Sequence, residues 1–199
     1  MISLALTGGI ACGKSELGRL LGRLGADVVD ADAVVRRMHL PGGEGAKIVA
    51  AMFGSGYLLK DGATDRAKLA QLVFADRDAR RKLEEEFHPI VRKWLIDWKS
   101  GAASPSAIRV AQIPLLFESD WSRDWDFTAT VEVSSMEARL ARLAARGLSR
   151  ADAEARIAAQ LPASARVSKA DFVVRNDGDV AQLGVIAEIL FDSLKEKTR

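Results

Sequence analysis

The chain has 199 residues, 29 Lys and Arg against 27 Asp and Glu, a formal charge of +2 and 48% hydrophobic residues. That length suits one α/β domain with an inserted subdomain rather than two enzyme domains, the composition excludes disorder, and the balanced charge excludes a strongly basic nucleic-acid binder. Cys12, the one cysteine, excludes an intrachain disulfide and a thiol-based zinc site, while Met1 to Leu6 shows no basic leader and no apolar run of the roughly 18 residues a membrane span needs, so a cytoplasmic protein with no membrane partner is expected.

In chain order, apolar periodicity alternates between strand-like and helix-like stretches, the pattern of a parallel sheet with helical crossovers, and predicts an α/β class. Ile2 to Leu6 reads as a strand ending in glycines. Leu17, Leu20, Leu21 and Leu24 then repeat at helical spacing until Gly25 stops the helix. Val28 and Val29 form a second strand that ends at Asp30-Ala31-Asp32. From Val34 to Trp98 the pattern is helical, broken at Pro41-Gly42-Gly43 and at Asp61-Gly62, which predicts an inserted helical subdomain. Within it Ile90, Val91, Trp94, Leu95 and Trp98 make one apolar stripe for core or interdomain packing. A loop from Ser100 to Ser106 leads to a third strand over Ala107 to Ile113, halted at Pro114; Asp126 to Val133 alternates as a fourth. Ser134 before Glu137 and Ser149 before Asp152 have the spacing of capping boxes that open two helices. Phe172 to Val174 reads as the last strand, followed by a helix carrying Val180, Leu183, Ile186, Leu190 and Leu194.

Gly8-Gly9-Ile10-Ala11-Cys12-Gly13-Lys14-Ser15 satisfies G-x-x-x-x-G-K-[ST] between a predicted strand and a predicted helix, the context a phosphate-binding loop requires. Its glycines let successive backbone N–H groups face phosphate oxygens, and the following helix adds its positive end. Lys14 is placed for the β- and γ-phosphates of ATP, and Ser15 for Mg²⁺. Cys12 reads as a small residue whose backbone amide matters, since there is no resolving thiol.

The loop by itself names a nucleotide and not a reaction. Asp30 and Asp32, at the carboxyl end of the second strand, are positioned to face the γ-phosphate and suit a hydroxyl acceptor, because a loose phosphoryl-transfer transition state needs positioning and late proton acceptance. Asp32 fits equally as the cap of a helix beginning near Ala33. Arg36, one turn beyond Asp32, suits an anionic substrate group or an i, i+4 contact with Asp32. Arg139, Arg142 and Arg146 are spaced to share a helix face, either converging on the transferring phosphoryl or forming a solvated basic surface. His88 before Pro89 reads as a residue that opens a helix and shapes an acceptor pocket; His39 has no metal-ligand spacing with it.

Several segments together resemble the dephospho-coenzyme A kinases. They are Leu6-Thr7-Gly8-Gly9-Ile10 running into Gly13-Lys14-Ser15, Asp30-Ala31-Asp32, Asp61-Gly62 with Asp65-Arg66, Leu83-Glu84 before His88-Pro89-Ile90, and Ile113-Pro114-Leu115-Leu116-Phe117-Glu118. Arg139, Arg142 and Arg146, Arg156-Ile157 with Gln160, Ala170-Asp171, and Asn176 with Gly178 continue the order. The resemblance implies a P-loop NTPase core (about residues 1–33, 105–137 and 170–199), a helical acceptor-binding insert (about 34–100) and a small helical lid (about 138–165). It implies transfer of the ATP γ-phosphoryl to the 3′-hydroxyl of dephospho-coenzyme A, with Mg²⁺. Asp32, Lys14, Arg139 and Arg146 would be catalytic, with Arg142 left on the surface. Gly8 to Glu16, Asn176 and Gly178 would hold ATP, the last two at its adenine, and Asp30, Asp32, Arg36 and His88 would hold the acceptor.

The chain departs from that pattern at Cys12, at Glu16 for a usual threonine, at Gln112 for a frequent aspartate and at Arg166 for a common lysine. Gln112 leaves Asp30 or Glu118 as candidates to assist the metal. Two other readings compete. Another P-loop kinase, for a nucleoside monophosphate or small polyol, shares the loop and arginines but lacks the His-Pro and Pro-Leu-Leu-Phe-Glu elements. A GTP-dependent switch would need an Asn-Lys-x-Asp signature, which the sequence lacks in the expected place.

Overall fold

The computed structural model describes residues 1–101 and 106–197, and the predicted loop from Ser100 to Ser106 lies mostly outside them. The chain divides into two compact units, Met1–Asp30 with Gly101–Arg199, and Ala31–Ser100.

The first unit carries a parallel sheet in the order β2-β3-β1-β4-β5, formed by β1 (Ile2–Gly8), β2 (Asp27–Asp30), β3 (Ile108–Gln112), β4 (Phe127–Glu132) and β5 (Phe172–Arg175). The expected α/β class and all five predicted strands are present. β1 is buried along its whole length because it lies between β3 and β4 with both faces covered, so it reads as a continuous apolar run. Leu17 and Leu21 of α1 (Lys14–Arg23) and Leu183, Ala187, Leu190 and Leu194 of α9 (Val180–Glu196) complete that core. Gly25 lies just past α1 with φ 107°, the left-handed turn that its lack of a Cβ permits.

A separate cluster joins the loop after β1 to α6 (Met136–Ala144) and α7 (Arg150–Ala158): Ala11, Leu140, Leu143 and Ala153 are buried together, with Ile10 and Ile157 against them. Burying a leucine such as Leu143 contributes about 2 kcal/mol, so these helices are anchored on the loop by apolar packing. α6 is capped by Ser135, which accepts from the Ala138 amide at 3.2 Å, and not by Ser134. Ser134 instead gives its amide and hydroxyl to Asp177 at 2.6 and 2.8 Å, tying the end of β4 to the end of β5. Ser149 caps α7 as predicted.

The second unit contains α2 (Ala31–Met38), α3 (Glu44–Phe53), α4 (Arg66–Ala75) and α5 (Arg77–Ser100) around buried Val49, Leu69 and Phe87. α5 runs straight through Pro89, so His88 does not open a helix and sits in the middle of one. A proline there removes one backbone donor, a loss that 24 residues of helix with Phe87, Val91 and Leu95 buried can absorb. Of the predicted apolar stripe, Val91 and Leu95 are buried, whereas Trp94 is 37% exposed beneath the Arg37 guanidinium.

His39 is buried, stacks on Phe87 and shares a 2.9 Å hydrogen bond with the Thr64 hydroxyl. Burial, helped by the nearby Arg66 charge, pushes its pKa down. The folded state therefore binds its proton less readily than the unfolded chain. Stability contributed by neutral His39 is present above the unfolded value of about 6.5 and is lost as pH falls through that value toward the folded one. His39→Gln removes this titration, so its melting temperature is expected to fall less between pH 7.5 and 5.5 than that of the unsubstituted protein. An equal fall in both, measured calorimetrically, would contradict the assignment.

Candidate active site

The loop joining β1 to α1 has three backbone signatures of a tight anion cradle: Gly8, Ala11 and Gly13 have φ values of 153°, 62° and 101°. Gly13 needs to be glycine on two counts, because its φ is left-handed and a Cβ there would stand 2.2 Å from Asn176 Nδ2. It contributes no side-chain cap to α1, whose first residue is Lys14. An uncapped helix start is a place where an anion is stabilised.

What holds the loop in shape comes from distant parts of the chain. The Ile10 carbonyl accepts from Arg139 Nε at 3.2 Å, the Ala11 carbonyl from Arg142 Nη1 at 3.1 Å, and the Cys12 carbonyl from Asn176 Nδ2 at 2.8 Å. In a trans peptide the carbonyl and the next N–H point opposite ways. With the Ile10 and Cys12 carbonyls taken by Arg139 and Asn176, the Ala11 and Gly13 amides point away from those side chains, and successive backbone N–H groups in such a turn suit an anion. The Cys12 amide closes the turn on the Gly9 carbonyl at 3.1 Å, and the Ile10 amide is held by Gln160 Oε1 at 2.7 Å.

The loop has two distinct ends. At Cys12 and Gly13 lies Asn176, buried on the segment after β5, with its backbone amide on the Glu132 carbonyl at 2.9 Å. At Gly9 lie Arg139 and Arg166, each with Nη2 at 2.9 Å from the position a Gly9 Cβ would take. Cys12 is fully buried, and burial pushes its thiol pKa up against the pull of Arg139, so it is no nucleophile at neutral pH. Glu16 is turned along α1 to Arg19, whose guanidinium hydrogen-bonds it at 3.0 Å and holds its carboxyl below the ordinary range.

The sequence model of the dephospho-CoA kinase family matches residues 2–182. The chain belongs to the dephospho-CoA kinase family. A dephospho-CoA kinase of Geobacter sulfurreducens is 40% identical over 183 residues, 90% of this chain and 92% of that one. A solved structure from Thermus thermophilus superposes with a TM-score of 0.82 at 32% identity, covering 97% of each chain. The dephospho-CoA kinase from Campylobacter jejuni superposes at 0.70 with 24% identity over 99% of this chain and 98% of its own, a likeness of fold. The chain is thus an enzyme of the ATP-dependent kinase class.

Within this family frame the arginine trio is not one helix face. Arg139 and Arg142 lie on α6, but the helix ends at its Ala145 cap and Arg146 stands beyond it, exposed in the turn that Gly147 closes. Arg142 is no surface residue either, since it holds Ala11 and reaches the Asn176 carbonyl at 3.4 Å. Gly178 is exposed past Asn176, immediately before the helix-capping Asp179.

Gln112 ends β3 in register with Leu6 and Asp30 and packs its amide on Gly18 of α1. Its Oε1 is buried with no hydrogen-bond partner among the described residues. Glu118 is exposed and accepts from the Leu161 amide at 3.1 Å. Asp30 is half-buried and closes β2.

In the helical unit Asp32 is exposed in the first turn of α2, inside the helix rather than at its cap, with Arg36 one turn further along. His88 is half-buried on α5 beside the buried Phe87. Sequence reasoning passed over the bonds of Gln160, Arg142 and Arg166, all formed with residues more than 30 positions away. The one local signal for them was their place in the family's motif order.

Proposed function

We infer that this chain transfers the terminal phosphoryl of ATP to the 3′-hydroxyl of dephospho-coenzyme A, giving coenzyme A and ADP in the cytoplasm. The observation that supports the reading is the loop at residues 8–15, whose Ile10, Ala11 and Cys12 carbonyls are held by Arg139, Arg142 and Asn176, in a chain of this family. Lys14 and the start of α1 bind the β- and γ-phosphates, with Asn176 and Gly178 toward the adenine. The helical unit, Ala31–Ser100, holds the acceptor through Arg36 and His88, and the segment of about residues 138–165 serves as a lid over the phosphates. Asp32 hydrogen-bonds the acceptor hydroxyl and takes its proton as the bond to phosphorus forms and the bond to the ADP oxygen breaks.

The residues present also fit Mg²⁺. No group of three or more His, Cys, Asp or Glu among the described residues could hold a metal, which suits an ion that arrives on the nucleotide and keeps most of its waters. Ser15, exposed in the first turn of α1, offers a hydroxyl, and Gln112 Oε1 an acceptor for metal-bound water in place of a carboxylate. When bound, the ion neutralises charge on the β- and γ-phosphates.

The test is ADP release with dephospho-coenzyme A beside nucleoside monophosphates, followed by NMR location of the new phosphate. Turnover of the monophosphates alone would reject the reading in favour of another P-loop small-molecule kinase.

A further inference from the structure

Beside Gly9 the protein buries an ion pair that the mechanism above does not use. Glu132, the last residue of β4, is 1% exposed, and Arg166 of α8 (Ala163–Lys169) is 3% exposed. Arg166 grips the carboxylate with two parallel bonds, Nε at 2.7 Å and Nη2 at 2.8 Å, while its Nη1 holds the Leu161 carbonyl. The Thr130 hydroxyl adds a third bond to Glu132, at 2.7 Å. Desolvating two ions is costly, and an apolar pair of the same volume would serve folding as well or better, so stability alone is a poor reason for this arrangement.

Geometry supplies another reason. A guanidinium has five N–H donors in a fixed fork. With one edge clamped by Glu132, the remaining N–H on Arg166 Nη2 stays at the Gly9 end of the loop, where Arg139 Nη2 meets the same point. The buried ions in this cluster are therefore two guanidiniums and one carboxylate, an excess of one positive charge beside Gly9, whereas the Asn176 amide meets the loop at Gly13. If Asn176 marks the nucleoside end of the nucleotide, Gly9 marks its terminal phosphoryl.

We propose that Arg166 is a catalytic residue that contacts the terminal phosphoryl of the nucleotide together with Arg139, and that Glu132, fixed by Thr130, is the positioning residue that aims it. The proposal deepens the kinase reading and rests on it. It also accounts for arginine at position 166, since a lysine cannot clamp a carboxylate bidentately and still offer a directed donor.

The deciding variant replaces both ions by amides, Glu132→Gln with Arg166→Gln, which removes the charges but keeps volume and a hydrogen bond. With its melting temperature near that of the unsubstituted protein, kcat toward dephospho-coenzyme A is expected to fall by about 100-fold or more. Its affinity for a non-hydrolysable ATP analogue should weaken by about tenfold while ADP affinity stays within about twofold, because ADP lacks the phosphoryl in question. A folded double variant with kcat within about threefold of the unsubstituted enzyme, or with ADP and the ATP analogue weakened alike, overturns the proposal. Should that variant fail to fold, Arg166→Lys carries the same measurements. A lower kcat with ADP affinity preserved supports the proposal, and unchanged kcat sinks it. Were the unsubstituted enzyme itself inert toward dephospho-coenzyme A, the substrate assignment would fail, and discrimination between the ATP analogue and ADP would still decide the role of Arg166.

Discussion

Replacing Lys14 by alanine is expected to lower kcat by about 10²–10³-fold while leaving the melting temperature level or slightly raised. Lys14 is the first residue of α1 and follows Gly13, which supplies no side-chain cap. A cation at the positive end of a helix dipole is unfavourable to the helix. The compensation is a phosphate: once an anion sits at the helix start, the same charge becomes favourable, and more so as negative charge builds during transfer. Removing the lysine thus separates the two roles. Activity falls and stability does not. Turnover assays with thermal melts on the same preparation check this, and a variant that loses stability in proportion to activity would make Lys14 a structural residue.

The parts of this picture that were legible in the sequence are those encoded locally. Gly8 to Ser15 is readable because a left-handed turn, a backbone approach and a helix start each demand particular residues within eight positions. β1 is readable because a strand buried on both faces must be apolar throughout. Local rules failed where a distant partner intervened. Spacing to Glu137 favours Ser134 as the cap, but Asp177 takes Ser134 and the cap falls to Ser135. Pro89 has the look of a boundary, yet the burial of Phe87 and Val91 on either side keeps α5 continuous. Arg142 looked like solvent-facing charge because nothing near it in sequence needs a donor; the carbonyl it satisfies belongs to Ala11, 131 residues away.

That distribution of contacts has a functional side. The loop's glycines make it permissive, and permissive backbone pays entropy to become ordered. Arg139, Arg142, Gln160 and Asn176 restrict it from outside, drawing on α6, the end of α7 and the segment after β5. A phosphate site assembled in this way is oriented before the nucleotide arrives, which is where electrostatic catalysis draws its advantage.

The same separation of binding from chemistry governs Asp32. Asp32→Asn is expected to depress kcat by about 10²–10⁴-fold, the range for losing a positioned proton acceptor, with ATP affinity within about twofold. Stability should change little. Asp32 is exposed, and asparagine keeps its shape and most of its hydrogen-bonding capacity in the first turn of α2. Asp30→Asn is the matched control, since Asp30 closes β2 in register with Gln112 and belongs to the sheet rather than to the helical unit. Single-turnover kinetics with saturating ATP isolate the transfer step from product release. If the carboxylate takes the acceptor proton, the deficit of Asp32→Asn appears in that step and exceeds the deficit of Asp30→Asn. If both variants transfer the phosphoryl at the unsubstituted rate, neither carboxylate takes the proton, and the acceptor hydroxyl must lose it to solvent or to the nucleotide itself.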